Sequence, residues 1–324
     1  MKAMILAAGL GTRLRPLTLE RAKPAVPLLG EPLVRRLMRK LQTLGVSDFR
    51  LNLHHLPDTI ETLFEDASQN NFQVSFSFEE EILGTAGGLK ANEAFFGNET
   101  FIMANGDIVL DLPLEQALIY HRKTGALATL VLHPQDPPFR HTPVRLDEDG
   151  LVVNFKDAVL GARALPDAYV FTGVHIIEPE IFHYIPPKKF HEINAQVYPA
   201  ALRDGRRVCG FPVLHGYWND LGTPFRYIEA QRDLFVLSRD KHPQLLSTAA
   251  SVDSQAVIGP FVTVDSGCRL EAGSHSENAI LWEGVTVARN ARLSNCIIGK
   301  NVRVTGSCSD KVVTRYGEVP IARY

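Results

Sequence analysis

The sequence predicts an α/β chain built in two parts, a doubly wound, mostly parallel sheet followed by a parallel β-helix. Three observations lead there. Strand-like and helix-like segments alternate up to about residue 235, a glycine loop follows the first strand-like segment, and an apolar repeat of six residues sets in near residue 248. Alternation of strands with helices favours a parallel sheet covered on both faces. A hexapeptide period is the signature of stacked β-helix coils.

Strand candidates in the first part are residues 4–7, 49–53, 72–78, 101–104 and 126–133, each rich in β-branched, aromatic or aliphatic residues. The clearest helix is 31–44, where Leu33, Val34, Leu37, Met38, Leu41 and Leu44 recur at helical spacing. Pro32 is placed for its first turn and Gly45 for its stop. In the second part apolar residues pair two apart and recur every six, as Ala250/Val252, Ala256/Ile258, Val262/Val264 and Cys268/Leu270. After a break they resume as Ala279/Leu281, Val285/Val287 and Ala291/Leu293, then as Cys296/Ile298 and Val302/Val304. With about six residues per side, roughly three coils are expected. The polar stretch 238–247, with Arg239-Asp240-Lys241-His242-Pro243, suits a linker. The expected domains are therefore 1–237, a linker 238–247, and a β-helix domain 248–324.

Composition narrows the class. The chain has 324 residues, 45% hydrophobic and 22% charged, which is the profile of a soluble globular protein of about two domains. A net charge of −2 gives no bulk reason to expect nucleic-acid or membrane binding. No stretch approaches the roughly 18 apolar residues of a membrane span. The short apolar run after Lys2 ends in a glycine and arginine loop without a cleavage signal, so it does not read as a signal peptide. Cys209, Cys268, Cys296 and Cys308 show no C-x-x-C spacing. Reduced thiols in a cytoplasmic protein are expected rather than a zinc site or disulfide framework.

The chemistry begins in the loop after the first strand. Gly9 and Gly11 let the backbone approach a ligand and present successive N–H groups to an anion. Arg13, Arg15 and Lys23 follow, cations suited to a polyphosphate. The spacing excludes a P-loop, and Leu14 stands where a dinucleotide fingerprint needs its third glycine. Asn105-Gly106-Asp107 closes the strand at 101–104, and Asp220 sits in Trp218-Asn219-Asp220-Leu221-Gly222-Thr223-Pro224. Taken alone, the first reads as a plain turn and Thr223-Pro224 as a helix cap with proline at N1. Gly84-Thr85-Ala86-Gly87-Gly88-Leu89 reads either as a helix start kept small for packing or as a bed for a flat base.

Residues 6–24 closely resemble the signature of the sugar-1-phosphate nucleotidyltransferases, also called nucleotide-sugar pyrophosphorylases. Leu6, Ala7, Ala8, Gly9, Gly11, Thr12, Arg13, Leu14, Pro16, Leu17, Thr18, Lys23 and Pro24 match its pattern in order. The resemblance implies a Rossmann-like sheet of the nucleotide-diphospho-sugar transferase type and a left-handed β-helix. It implies nucleotide contacts from Leu6, Ala8, Gly9, Gly11, Thr12 and Arg13, and from Gly84, Thr85, Ala86 and Gly87. Sugar-phosphate contacts are implied for Lys23, Asn105, Lys156, Thr172 and Gly173, and Asp107 and Asp220 resemble the two aspartates that hold Mg²⁺. That ion takes one or two carboxylates with substrate phosphates and water. Where family members carry Glu-Lys-Pro, this chain has Phe155-Lys156-Asp157, which leaves the sugar open.

The implied reaction joins an NTP to a sugar-1-phosphate and releases pyrophosphate, with Arg13 on the β- and γ-phosphates and Lys23 on the α-phosphate and sugar phosphate. The loop at 84–87 and the short β-helix look most like mannose-1-phosphate guanylyltransferases, which make GDP-mannose from GTP. UTP- or dTTP-dependent transfer to glucose-like or amino-sugar phosphates is the alternative within the class. A non-catalytic regulatory subunit is the alternative outside it, which the presence of Arg13, Lys23, Asp107 and Asp220 together opposes. Acyl transfer by the β-helix has one obvious base candidate, His275, and little else. The β-helix is expected to serve assembly of a homo-oligomer through its exposed ends or faces.

Overall fold

The computed structural model describes residues 1–66, 71–135, 141–155, 158–159, 167–239 and 242–322. Two compact units make up the chain: Met1–Gly9 with Arg36–Asn219, and Leu10–Arg35 with Asp220–Tyr324.

The first unit is a seven-stranded sheet of Lys2–Leu6 (β1), Asp48–Leu53 (β2), Gln73–Phe78 (β3), Phe101–Asn105 (β4), Ala128–Pro134 (β5), Tyr169–Ile177 (β6) and Val208–Pro212 (β7). The spatial order is β7-β5-β6-β4-β1-β2-β3. β1 pairs in parallel with β2 and β4, and β6 runs antiparallel to both β4 and β5. The buried β1, β4 and β5 are near-continuous apolar runs, as expected of parallel strands enclosed on both sides. Met4, Met103, Leu130, Leu132, Ile177 and Val208 belong to one buried cluster with Phe96, Phe101 and Phe182. The ring centroids of Phe96 and Phe101 are 4.1 Å apart. Burying each such side chain stabilises the fold by about 1.5–3 kcal/mol before entropy is charged against it. The strands expected at 4–7, 49–53, 72–78, 101–104 and 126–133 are all present with ends shifted by at most two residues.

The helix expected at 31–44 is Leu33–Gln42, closed by Gly45 at φ +81°. Pro32 is not in its first turn. Glu31–Pro32 pairs with Pro27–Leu28 as a two-residue hairpin whose Leu29 and Gly30 have φ of +49° and +70°. Positive φ at both central residues matches the right-handed twist of a tight hairpin.

In the second unit the β-helix stacks its strands in parallel on three faces. On one, Val262 pairs with Ala279 and Ala279 with Cys296; on another, Arg269 pairs with Thr286 and Thr286 with Arg303. The third carries His275, Arg292 and Ser307 in register. Gln244–Leu246 already pairs with Val262–Val264, so the first rung begins there. Every member of the repeat pairs, Val252 excepted, lies in or against one apolar core. Corners fall where backbones take positive φ, at Asn278, Asn295 and Asp310, and at Gly267, Gly284 and Asn301. Their side chains form a ladder, Asn278 Nδ2 donating to Asn295 Oδ1 at 2.7 Å and Asn295 Nδ2 to Asp310 Oδ1 at 2.6 Å. Among the described residues no helix is long and apolar enough to cross a membrane.

Candidate active site

Three neighbouring strands end level with one another in the first unit. Leu6 of β1 lies in register with Asn52 of β2 on one side and Asn105 of β4 on the other. Carboxyl ends of parallel strands at the middle of such a sheet are where α/β folds bind ligands. Ala7 and Ala8 are buried beyond Leu6, and Gly9 is exposed with open space where a side chain would be. The Gly106 amide donates to Leu6 O at 2.9 Å, which seats Asn105 and the half-buried Asp107 beside the first strand's end.

A polar chain joins this edge to the segment at 84–88. The Ala7 amide donates to Asn52 Oδ1 at 2.9 Å, and Asn52 Nδ2 donates to Glu79 Oε1 at 2.8 Å. Glu79 Oε2 then accepts the Leu83 amide at 3.0 Å. Asn52 and Glu79 are buried, and neither drew notice in the sequence, although an asparagine within the apolar strand 49–53 was the available signal. A Cβ on Gly88 would lie 2.6 Å from Glu79 Oε1 and 3.0 Å from Asn52 Nδ2, so this glycine leaves room for the pair.

The helix Gly84–Ala91 starts inside this segment, as its plainer reading expects. A Cβ on Gly84 would meet His191 O at 2.6 Å, and one on Gly87 would meet Lys189 O at 2.6 Å. The amides of Ala86 and Gly87 both donate to His191 O, at 2.9 and 3.2 Å. Thr85 Oγ1 donates to Glu192 Oε2 at 2.9 Å and accepts the Ile193 amide at 2.8 Å. The small residues therefore let residues 189–193 close over the helix start.

Thr172 and Gly173 lie where β6 bulges against β5, between Phe171 and His175. Bulges re-aim side chains and commonly stand beside sites. Gly173 has φ +90°, and a Cβ there would lie 2.8 Å from Asn105 Nδ2, so this glycine makes room for Asn105. The Thr172 hydroxyl is committed to Val131 O at 2.8 Å, and its carbonyl accepts Trp218 Nε1 at 2.7 Å. Lys156 lies outside the described residues.

The second unit gathers the cations. Gly11 has φ +60°, and a Cβ there would come within 2.8 Å of Thr18 Cγ2 and 3.2 Å of Lys23 Cβ. Thr18 Oγ1 donates to Gly11 O at 2.8 Å, folding the loop onto itself. Thr12 and Arg13 belong to an exposed 3₁₀ turn, whereas Lys23 is buried and its ammonium donates to the Asp220 carbonyl at 3.1 Å. Asp220 Oδ1 accepts the Gly222 amide at 3.2 Å and stands 3.4 Å from Arg226 Nε. Arg13 reaches the same place, its Nη1 lying 3.2 Å from where a Gly222 Cβ would stand. Thr223 caps the following helix through Arg226 N, as the sequence predicts. Arg13, Lys23 and Asp220 thus share one unit, while Asn105, Asp107, Thr172, Gly173 and residues 84–87 share the other.

Residues 2–235 match the family model described as Nucleotidyl transferase. The chain belongs to the nucleotidyl transferase family. Residues 241–318 match a second model, the GMPPB C-terminal domain, so this nucleotidyl transferase carries the expected second module. It is 33% identical to the UTP–glucose-1-phosphate uridylyltransferase of a Synechocystis strain, over 92% of this chain and 87% of that one. It is 30% identical to the mannose-1-phosphate guanylyltransferase of Mycobacterium tuberculosis, over 88% and 80%. The crystal structure of HddC from Yersinia pseudotuberculosis complexed with GMP-PN is 26% identical with a TM-score of 0.60, covering 71% of this chain and 97% of that one. The family resemblance read from residues 6–24 is borne out.

Proposed function

We propose that this nucleotidyl transferase joins GTP to mannose-1-phosphate, forming GDP-mannose and pyrophosphate. The observation that carries the choice of pair is the match of residues 241–318 to the GMPPB C-terminal domain, supported by guanylyltransferase relatives over most of the chain. A sugar-phosphate oxygen attacks the α-phosphorus; the new P–O bond forms as the bond to the β-phosphate bridging oxygen breaks. The nucleophile is already anionic, so no general base is required, and rate comes from alignment and charge neutralisation.

Arg13 is assigned to the β- and γ-phosphates and the leaving pyrophosphate, and Lys23 to the α-phosphate and the sugar phosphate. The strand-end loop of Leu6, Ala8, Gly9, Gly11 and Thr12 supplies backbone to the triphosphate. Gly84, Thr85, Ala86 and Gly87 are assigned to the base, and Asn105, Lys156, Thr172 and Gly173 to the sugar phosphate. Among the described residues no three His, Cys, Asp or Glu side chains gather to hold a metal by themselves. Two carboxylates without histidine or cysteine suit Mg²⁺, which Asp107 and Asp220 would hold with substrate oxygens and water completing its shell. When bound, the ion neutralises repulsion between the two phosphates.

The functional modules proposed are residues 1–237 for transfer and 248–324 for the β-helix, joined through 238–247, in a cytoplasmic homo-oligomer. A second reading is uridylyl transfer to glucose-1-phosphate, favoured by the 33% identity to the Synechocystis relative. Pyrophosphate release, measured while crossing four NTPs with a panel of sugar-1-phosphates, separates the readings. GTP with mannose-1-phosphate is expected to give the highest kcat/KM. A higher value for UTP with glucose-1-phosphate installs the second reading, and no turnover with any pair installs a regulatory subunit.

A further inference from the structure

The segment carrying Lys23 is fastened to the β-helix at points on both sides of that residue. Before it, Glu20 Oε2 accepts the Lys300 amide at 2.9 Å, and Arg21 Nη2 donates to Glu283 Oε1. The Arg21 guanidinium also lies over the indole of Trp282, 4.7 Å from the ring centroid. After it, the Pro27 carbonyl accepts the Tyr227 hydroxyl, and that hydroxyl accepts Trp282 Nε1 at 3.2 Å. A Cβ on Gly299 would lie 2.9 Å from Glu20 Oε2, so this corner of the β-helix is shaped for the glutamate.

The backing is rigid. Trp282 is fully buried, its amide donates to Ile298 O at 3.0 Å, and the Asn301 amide donates to Glu283 O at 2.9 Å. Residues 282–283 and 299–301 are therefore corners of successive coils bonded to one another. Lys300 Nζ adds a second cation to Glu283 at 3.4 Å. Arg21 and Glu283 are mostly buried, at 17% and 24% side-chain exposure, and a pair so desolvated gives little net stability for its cost. A planar guanidinium held between a carboxylate and an indole face does fix one position of the chain. Arg21 stands two residues before Lys23, with only the fully buried Ala22 between.

We infer that Trp282 and Glu283 are positioning residues for the phosphate loop: through Arg21 they hold the backbone that presents Lys23. The β-helix is thus part of the reaction machinery, beyond the assembly role expected of it. The inference rests on the transfer reading for its kinetic consequence, though not for its structural one.

The test compares Glu283→Gln, Arg21→Gln and the double variant in the full chain. Each single change is expected to lower kcat by about 10- to 100-fold, the size of effect that a displacement of about 1 Å produces. KM for NTP should move less than about threefold. The double variant should be no slower than the worse single one, because both changes break the same link. Glu271→Gln, which removes a β-helix ion pair to Arg303 that includes no residue of 10–35, should leave kcat unchanged. Hydrogen exchange supplies a readout independent of turnover. The Ala25 and Val26 amides, which close the turn on Lys23, should exchange at least tenfold faster in Glu283→Gln while those of β1 keep their rates. Should that variant fail to accumulate, Arg21→Lys keeps the charge, loses the planar fork, and is expected to show the same two effects. Unchanged kcat and unchanged exchange overturn the inference. If the wild type turns over no substrate pair, the transfer reading falls and exchange alone decides the positioning role.

Discussion

Lys23 donates its ammonium to the main-chain carbonyl of Asp220 at 3.1 Å, across 197 residues of sequence. The contact places a buried cation beside the backbone of a carboxylate-bearing residue. A lysine held in this way has its orientation fixed before a ligand arrives. Lys23→Ala is accordingly expected to lower kcat/KM at least 10²-fold, about 2.7 kcal/mol of transition-state stabilisation. Lys23→Arg should recover little, because a guanidinium differs from an ammonium in shape and reach. Steady-state kinetics beside a thermal melt check this, and a near-normal kcat/KM for the alanine variant removes the role.

The amide variants of the two aspartates test the metal assignment. Asp220 already engages Arg226 and the Gly222 amide, so Asp220→Asn weakens a local structure along with any metal site. Asp107→Asn is expected to raise the Mg²⁺ concentration for half-maximal turnover at least tenfold. Asp220→Asn should show the same shift and a lower melting temperature as well. Mg²⁺ titrations of both variants decide the matter; identical activation curves for Asp107→Asn and wild type refute the metal assignment.

Parts of this molecule were legible because their signals are local. The six-residue period fixes which side chains point inward, and the pairs from Ala250 to Val304 fill the β-helix core save for Val252. The run at 6–24 is contiguous, so its chemistry could be read without a fold. Pro32 misled because a proline before an apolar helical face looks like N1, whereas Leu29 and Gly30 turn the chain into a hairpin first. Asn52 and Glu79 escaped for a different reason. Their importance comes from strand pairing that sets Asn52 level with Leu6 and from the bond between Asn52 and Glu79, relations that no spacing along the chain encodes. The joint between Glu20, Arg21 and the coil corners at 283 and 300 is of the same kind.

Acid should destabilise the fold through His175. It is fully buried and bonded through Nδ1 to the Tyr198 hydroxyl at 2.7 Å, and burial pushes its pKa down to about 3. The unfolded chain binds a proton near pH 6.5, while the folded one does not. The stabilising contribution is therefore complete above about 6.5 and is lost as pH falls toward 3, with a limiting slope of about 1.4 kcal/mol per pH unit. Burial lowers His121 in the same direction, against its Glu178 partner. Urea denaturation at pH 7, 6 and 5 should show falling stability, with a shallower slope in His175→Gln. An unchanged slope in that variant excludes His175 as the source.

The four thiols should react unequally. Burial pushes Cys209 and Cys268 up, and Cys296 is held up by its hydrogen bond to Cys308 at 3.4 Å and by burial. That same hydrogen bond lowers Cys308, which is also the half-buried member of the set. Iodoacetamide at about pH 8 is expected to label Cys308 first, since thiolate fraction and access govern the rate. Peptide mapping over a time course checks the order, and earlier labelling of Cys209 or Cys268 contradicts it.

Gly173→Ala tests the sugar-phosphate side of the site. The backbone there has φ +90°, a conformation that alanine adopts at a cost of about 1–3 kcal/mol. The new methyl group would also stand 2.8 Å from Asn105 Nδ2 and 3.1 Å from its Cβ, so Asn105 must move. Asn105 is level with Leu6 at the strand ends, and displacing it alters the edge assigned to the sugar phosphate more than the one assigned to the triphosphate. KM for the sugar phosphate should rise at least tenfold, with KM for NTP changed less than threefold. Asn105→Ala removes the nearest atom of the obstacle, Nδ2, so Gly173→Ala should cost less activity when added to it than in the wild type. A Gly173→Ala enzyme whose two KM values rise together shows instead that the bulge supports the whole sheet edge and not Asn105 in particular.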